Sequence, residues 1–145
     1  MYIWDFNSAN NNLMDNDFLE YQNFKIQNSI WFDMLIKDPD FKEAIINRYK
    51  ELRKTYLSEE YLFNYIDETV NYLGPAIDRN FEVWGYTFNP DNKFKTTYMP
   101  TSHDDSIKQL KDAIHKRGEW MDKHIEDIKF YSSESKNKKY NKLVI

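Results

Sequence analysis

Asp38-Pro39-Asp40-Phe41-Lys42-Glu43-Ala44-Ile45-Ile46-Asn47-Arg48-Tyr49-Lys50-Glu51-Leu52-Arg53-Lys54-Thr55-Tyr56 is the stretch on which the fold turns. Asp38 suits a helix N-cap, where its carboxylate can accept from an N–H that the first turn leaves without a partner. Pro39 suits the first helical position, where its missing N–H costs nothing. Phe41, Ile45, Tyr49 (or Arg48), Leu52 and Tyr56 then recur at spacings of four, four, three and four. That is the period of a helix with one apolar face. The stretch predicts a helix over 39–56.

The pattern extends in both directions. Upstream, Ser29 can cap a short helix over 29–37, with Trp31, Phe32, Leu35 and Ile36 clustered on one side. Downstream, Ser58 opens a helix over 59–84, with Glu59 and Glu60 in its first turn against the positive end of the dipole. Tyr61, Leu62, Tyr65, Ile66, Val70 and Leu73 are its expected buried face. Gly74-Pro75 either kinks this helix or ends and restarts it. Ala76, Ile77, Phe81 and Trp84 carry the stripe onward, and Gly85 reads as the stop.

Residues 86–101 read as a loop, with Asn89-Pro90-Asp91 and Met99-Pro100 as breakers. Ser102-His103-Asp104-Asp105 resembles a capping box, with Asp105 where Glu is usual. Ile107, Leu110, Ile114, Met121, Ile125 and Ile128, with Trp120 beside them, predict a last helix over 103–129. At the other end, Tyr2-Ile3-Trp4-Asp5-Phe6 has the composition of a short strand. An asparagine-rich loop and an irregular connection over 13–28 follow.

The chain has 145 residues, enough for one domain with a core. An aromatic fraction of 17% excludes a disordered chain, and three glycines with four prolines exclude collagen-like or turn-dense β designs. The absence of cysteine removes disulfides, thiolate nucleophiles, cysteine-ligated zinc and iron–sulfur clusters. No apolar run approaches the roughly 18–20 residues of a membrane span. A net charge of −4 gives no global field for nucleic acid. The division expected is a domain over 1–130 and a basic, flexible tail over 131–145. Met1 runs directly into strand-like residues, so the chain is expected to begin inside a larger domain.

Several residues have both a chemical and a structural reading. Arg48, Arg53, Arg79 and Arg117 could meet phosphate. The favoured alternative lays their stems on aromatic surface and pairs them with acids such as Asp67, Glu82 or Asp122. Trp31, Trp84 and Trp120 are read as core. His115 and His124 are nine apart, the wrong spacing for a helical ligand pair. His103 is read as part of a solvated helix start in preference to a zinc site. Lys136, Lys138, Lys139 and Lys142 read as a solvated end, and Asp15-Asn16-Asp17 lacks the glycine and terminal glutamate of a calcium loop.

Two groups of residues carry a resemblance to a known family. The first is Trp4-Asp5-Phe6-Asn7. The second runs from Trp31 to Phe41 and on through Arg48-Tyr49, Leu52-Arg53, Ile66-Asp67, Arg79-Asn80, Trp84 and Arg117 to Trp120-Met121-Asp122. Their order and spacing resemble the C-terminal part of the spore-coat protein H (CotH) kinase family. That family has an atypical protein-kinase-like fold and transfers phosphate from ATP to protein hydroxyls. The resemblance implies that Asp5 is the metal-binding aspartate that holds magnesium at the ATP phosphates, with Asn7 as a second oxygen ligand. A Phe-Gly pair often follows the tetrapeptide in the family, and here Asn10-Asn11 stands in its place.

A kinase also needs a glycine-rich phosphate cover, a strand lysine and a catalytic base, and none of these is legible in this chain. The fold expected is therefore mainly α, the helical C-lobe of a kinase-like fold with one short N-terminal strand. Magnesium and ATP belong to the intact parent domain and are not expected to bind this chain tightly. The partners expected are the missing N-terminal part of the kinase domain or a second copy, and in the parent a protein substrate. No nucleic acid and no membrane span are expected. Coat or cell-surface association is implied by the resemblance. A non-catalytic, kinase-derived binding or structural module is the alternative, and an unrelated helical bundle is a third.

Overall fold

The computed structural model describes Phe24, residues 30–89, Asp91 and residues 100–130. The strand expected over 2–6, the asparagine-rich loop, most of the 13–28 connection and the basic tail lie outside the described residues. What is described is mainly helical, with no strand among those residues.

Five α-helices occur among the described residues: α1 Ile30–Leu35, α2 Pro39–Arg53, α3 Glu59–Leu73, α4 Ala76–Trp84 and α5 His103–His124. A 3-10 turn, Gly85–Phe88, continues α4, and a 3-10 segment, Ile125–Phe130, continues α5. The caps fall on the residues whose chemistry suits them. The Asp38 carboxylate accepts from Asp40 N at 2.9 Å, Ser58 Oγ from Tyr61 N at 3.2 Å, and Ser102 Oγ from Asp105 N at 3.0 Å. The capping box is only half made. The Asp105 carboxylate reaches past Ser102 and accepts from Thr101 N at 2.9 Å.

At Gly74 the helix ends and restarts. Its φ of 46° lies where side chains with a Cβ are strained, and its N–H closes α3 onto Val70 O at 3.0 Å. Pro75 is the N-cap of α4. α2 stops at Arg53, short of Tyr56. A turn follows, closed by Leu57 N donating to Leu52 O at 2.8 Å, and it leads directly to the Ser58 cap.

The core joins parts of the chain that are far apart in sequence. Ile36 after α1, Ile46 of α2, and Ile125 and Ile128 of the last segment are buried together. Phe24, Phe32, Ile45, Tyr49 and Met121 pack around them. Each fully buried isoleucine contributes about 1.5–3 kcal/mol relative to exposure. Ion pairs line the rim. Lys50 bonds Glu126, Lys129 reaches Glu126 at 2.7 Å and Glu43 at 3.6 Å, and Lys42 donates to Lys129 O at 3.1 Å.

The aromatic stripes are less buried than their spacing suggested. Trp31 is 78% exposed and Trp84 51%, so of the three tryptophans read as core only Trp120 packs inward. α3 buries no residue fully: Leu62, Phe63, Ile66 and Val70 are half-buried, while Tyr61, Tyr65 and Leu73 face outward. The physical reason is side-chain chemistry. A tyrosine keeps its hydroxyl wet while its ring covers neighbouring surface, as the edge-on Tyr56–Tyr61 pair does at 5.4 Å.

Candidate functional site

The most elaborate polar arrangement among the described residues lies where the C-terminal half of α2 crosses the C-terminal half of α5. Arg53 is the last residue of α2, where a cation suits the helix dipole. Its Nε donates to both carboxylate oxygens of Asp122, each at 2.9 Å. Its Nη1 donates to Leu57 O at 2.6 Å, so the same guanidinium fastens the turn that leads into α3. Tyr49, one turn earlier on α2, donates its hydroxyl to Asp122 Oδ1 at 2.7 Å. Burial, then the bond to Asp122 and its charge, push the Tyr49 phenol well above its usual range.

Gly118 makes this approach possible. A Cβ built there would stand 2.5 Å from Arg53 Nη2 and 2.9 Å from its Cζ, so the guanidinium occupies the space a side chain would take. Arg117 lies over the Trp120 ring, 5.1 Å from its centroid, and burial lowers its affinity for the proton. The opposite side of the neighbourhood is aromatic. Trp120 meets Phe24 edge-on at 5.0 Å and stacks with His124 at 4.8 Å, while His124 Nδ1 lies 2.8 Å from Asp127 Oδ2.

The structure therefore gathers Tyr49, Arg53, Arg117, Trp120 and Asp122 from the second of the two groups that carried the resemblance. The structural reading of Arg53 holds, with Asp122 as its acid. Arg48 pairs with Glu51 at 2.7 Å on the exposed side of α2, and Asp67 is taken by Lys111 at 2.5 Å. His103 lies beside Asp104 and against Phe81, away from the other two histidines. No group of three or more His, Cys, Asp or Glu suited to a metal occurs among the described residues. Asp5 and Asn7 lie outside the described residues.

Sequence reasoning missed the part played by Gly118. Its signal was present: a glycine inside a helix costs about 1 kcal/mol relative to alanine, which marks a place where something approaches closely. Chemically, the junction holds its members in fixed roles. Tyr49 is a poor proton donor to a substrate because its proton is tightly held, and the Arg53 fork is engaged by Asp122 and the Leu57 carbonyl. The arrangement positions α5 on α2.

This is a helical module locked at one crossing by residues that also carry its family signature. A family model described as CotH kinase protein matches residues 1–121, and the chain belongs to that family. No curated protein and no solved structure matches the chain. No helix among the described residues is long and apolar enough to cross a membrane.

Proposed function

We propose that this chain is the C-terminal helical lobe of a CotH-type, ATP-dependent protein kinase, and that Asp5, with Asn7, contributes oxygen ligands to its magnesium. The observation that carries the reading is the family match over residues 1–121, which takes in Trp4-Asp5-Phe6-Asn7 together with Tyr49, Arg53, Arg117 and Trp120 of the α2–α5 junction. The donor set fits the ion: magnesium prefers hard oxygen ligands and takes one or two from protein beside those of substrate phosphates. When bound, magnesium neutralises charge on the phosphates during transfer. The protein's own share is to supply the Asp5 carboxylate and the Asn7 amide oxygen.

The chain alone is expected to be inactive. Its glycines are Gly74, Gly85 and Gly118, at helix ends or inside α5, and none belongs to a loop that could cover phosphates. Incubated with labelled ATP and magnesium, the purified chain should transfer no phosphate to casein or to itself. Transfer that is lost in Asp5→Ala would overturn this. In the intact parent, Asp5→Ala should cut transfer by about a hundredfold or more, the loss of several kcal/mol of charge stabilisation. The reading frame upstream of codon 1 should encode a glycine-rich loop, a strand lysine and an aspartate. A stop codon there would favour a kinase-derived module that binds without transferring phosphate.

A further inference from the structure

His115 occupies a different place from the junction, on the side of α5 that meets the first turn of α3. Its Nδ1 lies 2.6 Å from Glu59 Oε2 on α3, and its Nε2 lies 3.6 Å from Glu119 Oε2 one turn along α5. The ring thus stands between two carboxylates on two helices. Asp112 adds a third negative charge nearby, while the flanking cations are held elsewhere, Lys116 by Asp112 and Lys111 by Asp67, each at 2.5 Å. α3 has no fully buried residue, and side-chain links of this kind add to the packing of its half-buried Leu62, Phe63, Ile66 and Val70. Lys111 of α5 also meets α3, through Asp67 and with its ammonium over Phe63 at 5.2 Å.

An imidazolium donates from both nitrogens and can serve both carboxylates. A neutral imidazole donates from one and presents a lone pair at the other. If the neutral ring keeps its bond to Glu59, its lone pair faces the Glu119 carboxylate. We propose that His115 is a proton-operated clasp between α3 and α5: protonated, it ties Glu59 to Glu119, and on losing its proton it releases one of them and loosens the first turns of α3.

The surroundings favour the charged form. The bond to Glu59 first, then the charges of Glu59 and Glu119, raise the His115 pKa above its ordinary 6.5. A histidine raised in the folded state contributes stability that is fully present below 6.5 and is lost as pH rises through the folded value. The clasp is therefore closed in mild acid and opens toward alkaline pH.

The test combines a histidine NMR titration with amide exchange of Tyr61–Tyr65, corrected for intrinsic rates, between about pH 5 and 9. The wild-type chain should lose protection in α3 with the same midpoint as the His115 ring, above 6.5. Glu59→Gln and Glu119→Gln should each shift the His115 midpoint downward. In His115→Gln the α3 protection should no longer vary with pH, whereas His103→Gln and His124→Gln should keep the wild-type profile. Any of three results overturns the proposal: α3 protection that ignores the His115 titration, a wild-type profile in His115→Gln, or an unmoved midpoint in Glu119→Gln. The exposed glutamine variant, Glu119→Gln, keeps the test decisive should the others fold poorly.

Discussion

Arg53 binds two oxygens of Asp122 and the Leu57 carbonyl, which no lysine could reproduce with a single point charge. Asp122→Ala should therefore lower unfolding stability by about 1–3 kcal/mol, because it leaves a half-buried guanidinium and a phenol without their shared acceptor. Chemical denaturation gives the value. Gly118→Ala tests the same contact from the other side. Alanine is better than glycine in a helix by about 1 kcal/mol, yet here its Cβ displaces a guanidinium held by hydrogen bonds. The substitution should destabilise the wild type and stabilise an Arg53→Met background, and that reversal of sign in a double-mutant cycle is the decisive reading. The pairing of Arg53 with Asp122 was legible as a type of interaction. The choice of Asp122 over Asp67 was not, because it depends on how two helices cross.

At the scale of the element, the local signals read true where the physics is local. Asp38, Ser58 and Ser102 cap the helices they precede because each cap is settled within three residues. The facing of α1 and α4 was harder to read, because Trp31 and Trp84 sit on helices too short for spacing to choose a side. Gly74 makes a clean prediction. Its φ of 46° is strained for any side chain, so Gly74→Ala should cost about 1–3 kcal/mol although its Cβ would meet only Asn71 O at an ordinary 3.5 Å. A second concerns the rim between α2 and the last segment. Hydrogen bonds from Lys129 and then Lys50 hold the Glu126 carboxyl down from its ordinary 4.5 to about 2. A depressed acid contributes stability that is present above 4.5 and is lost as pH falls through about 2. Carboxyl NMR should give a Glu126 midpoint near 2, and Lys129→Met should raise it.

For the whole molecule, the sequence made the helical class and the family legible, because period, caps and motif order survive without contacts. It left the centre of the core open: Ile36 and Ile46 meet Ile125 and Ile128 only once the chain has returned across α3 and α4. That return has a cost in chain entropy, since the loop it closes spans most of the described residues. It also places half of the buried isoleucines among the described residues past residue 121, where the family match stops.

The region that defines kinship and the region that folds are thus different lengths of the same polypeptide. A version cut after Met121 would keep nearly every residue of the family signature, yet it would lose Ile125 and Ile128 and the acid that receives Arg53. Such a version should show no cooperative thermal transition and should bind a hydrophobic dye. A sharp melt like that of the longer chain would mean the isoleucines beyond the boundary are dispensable. Anyone trimming a relative to its matched segment would, on this geometry, discard the keystone with the offcut.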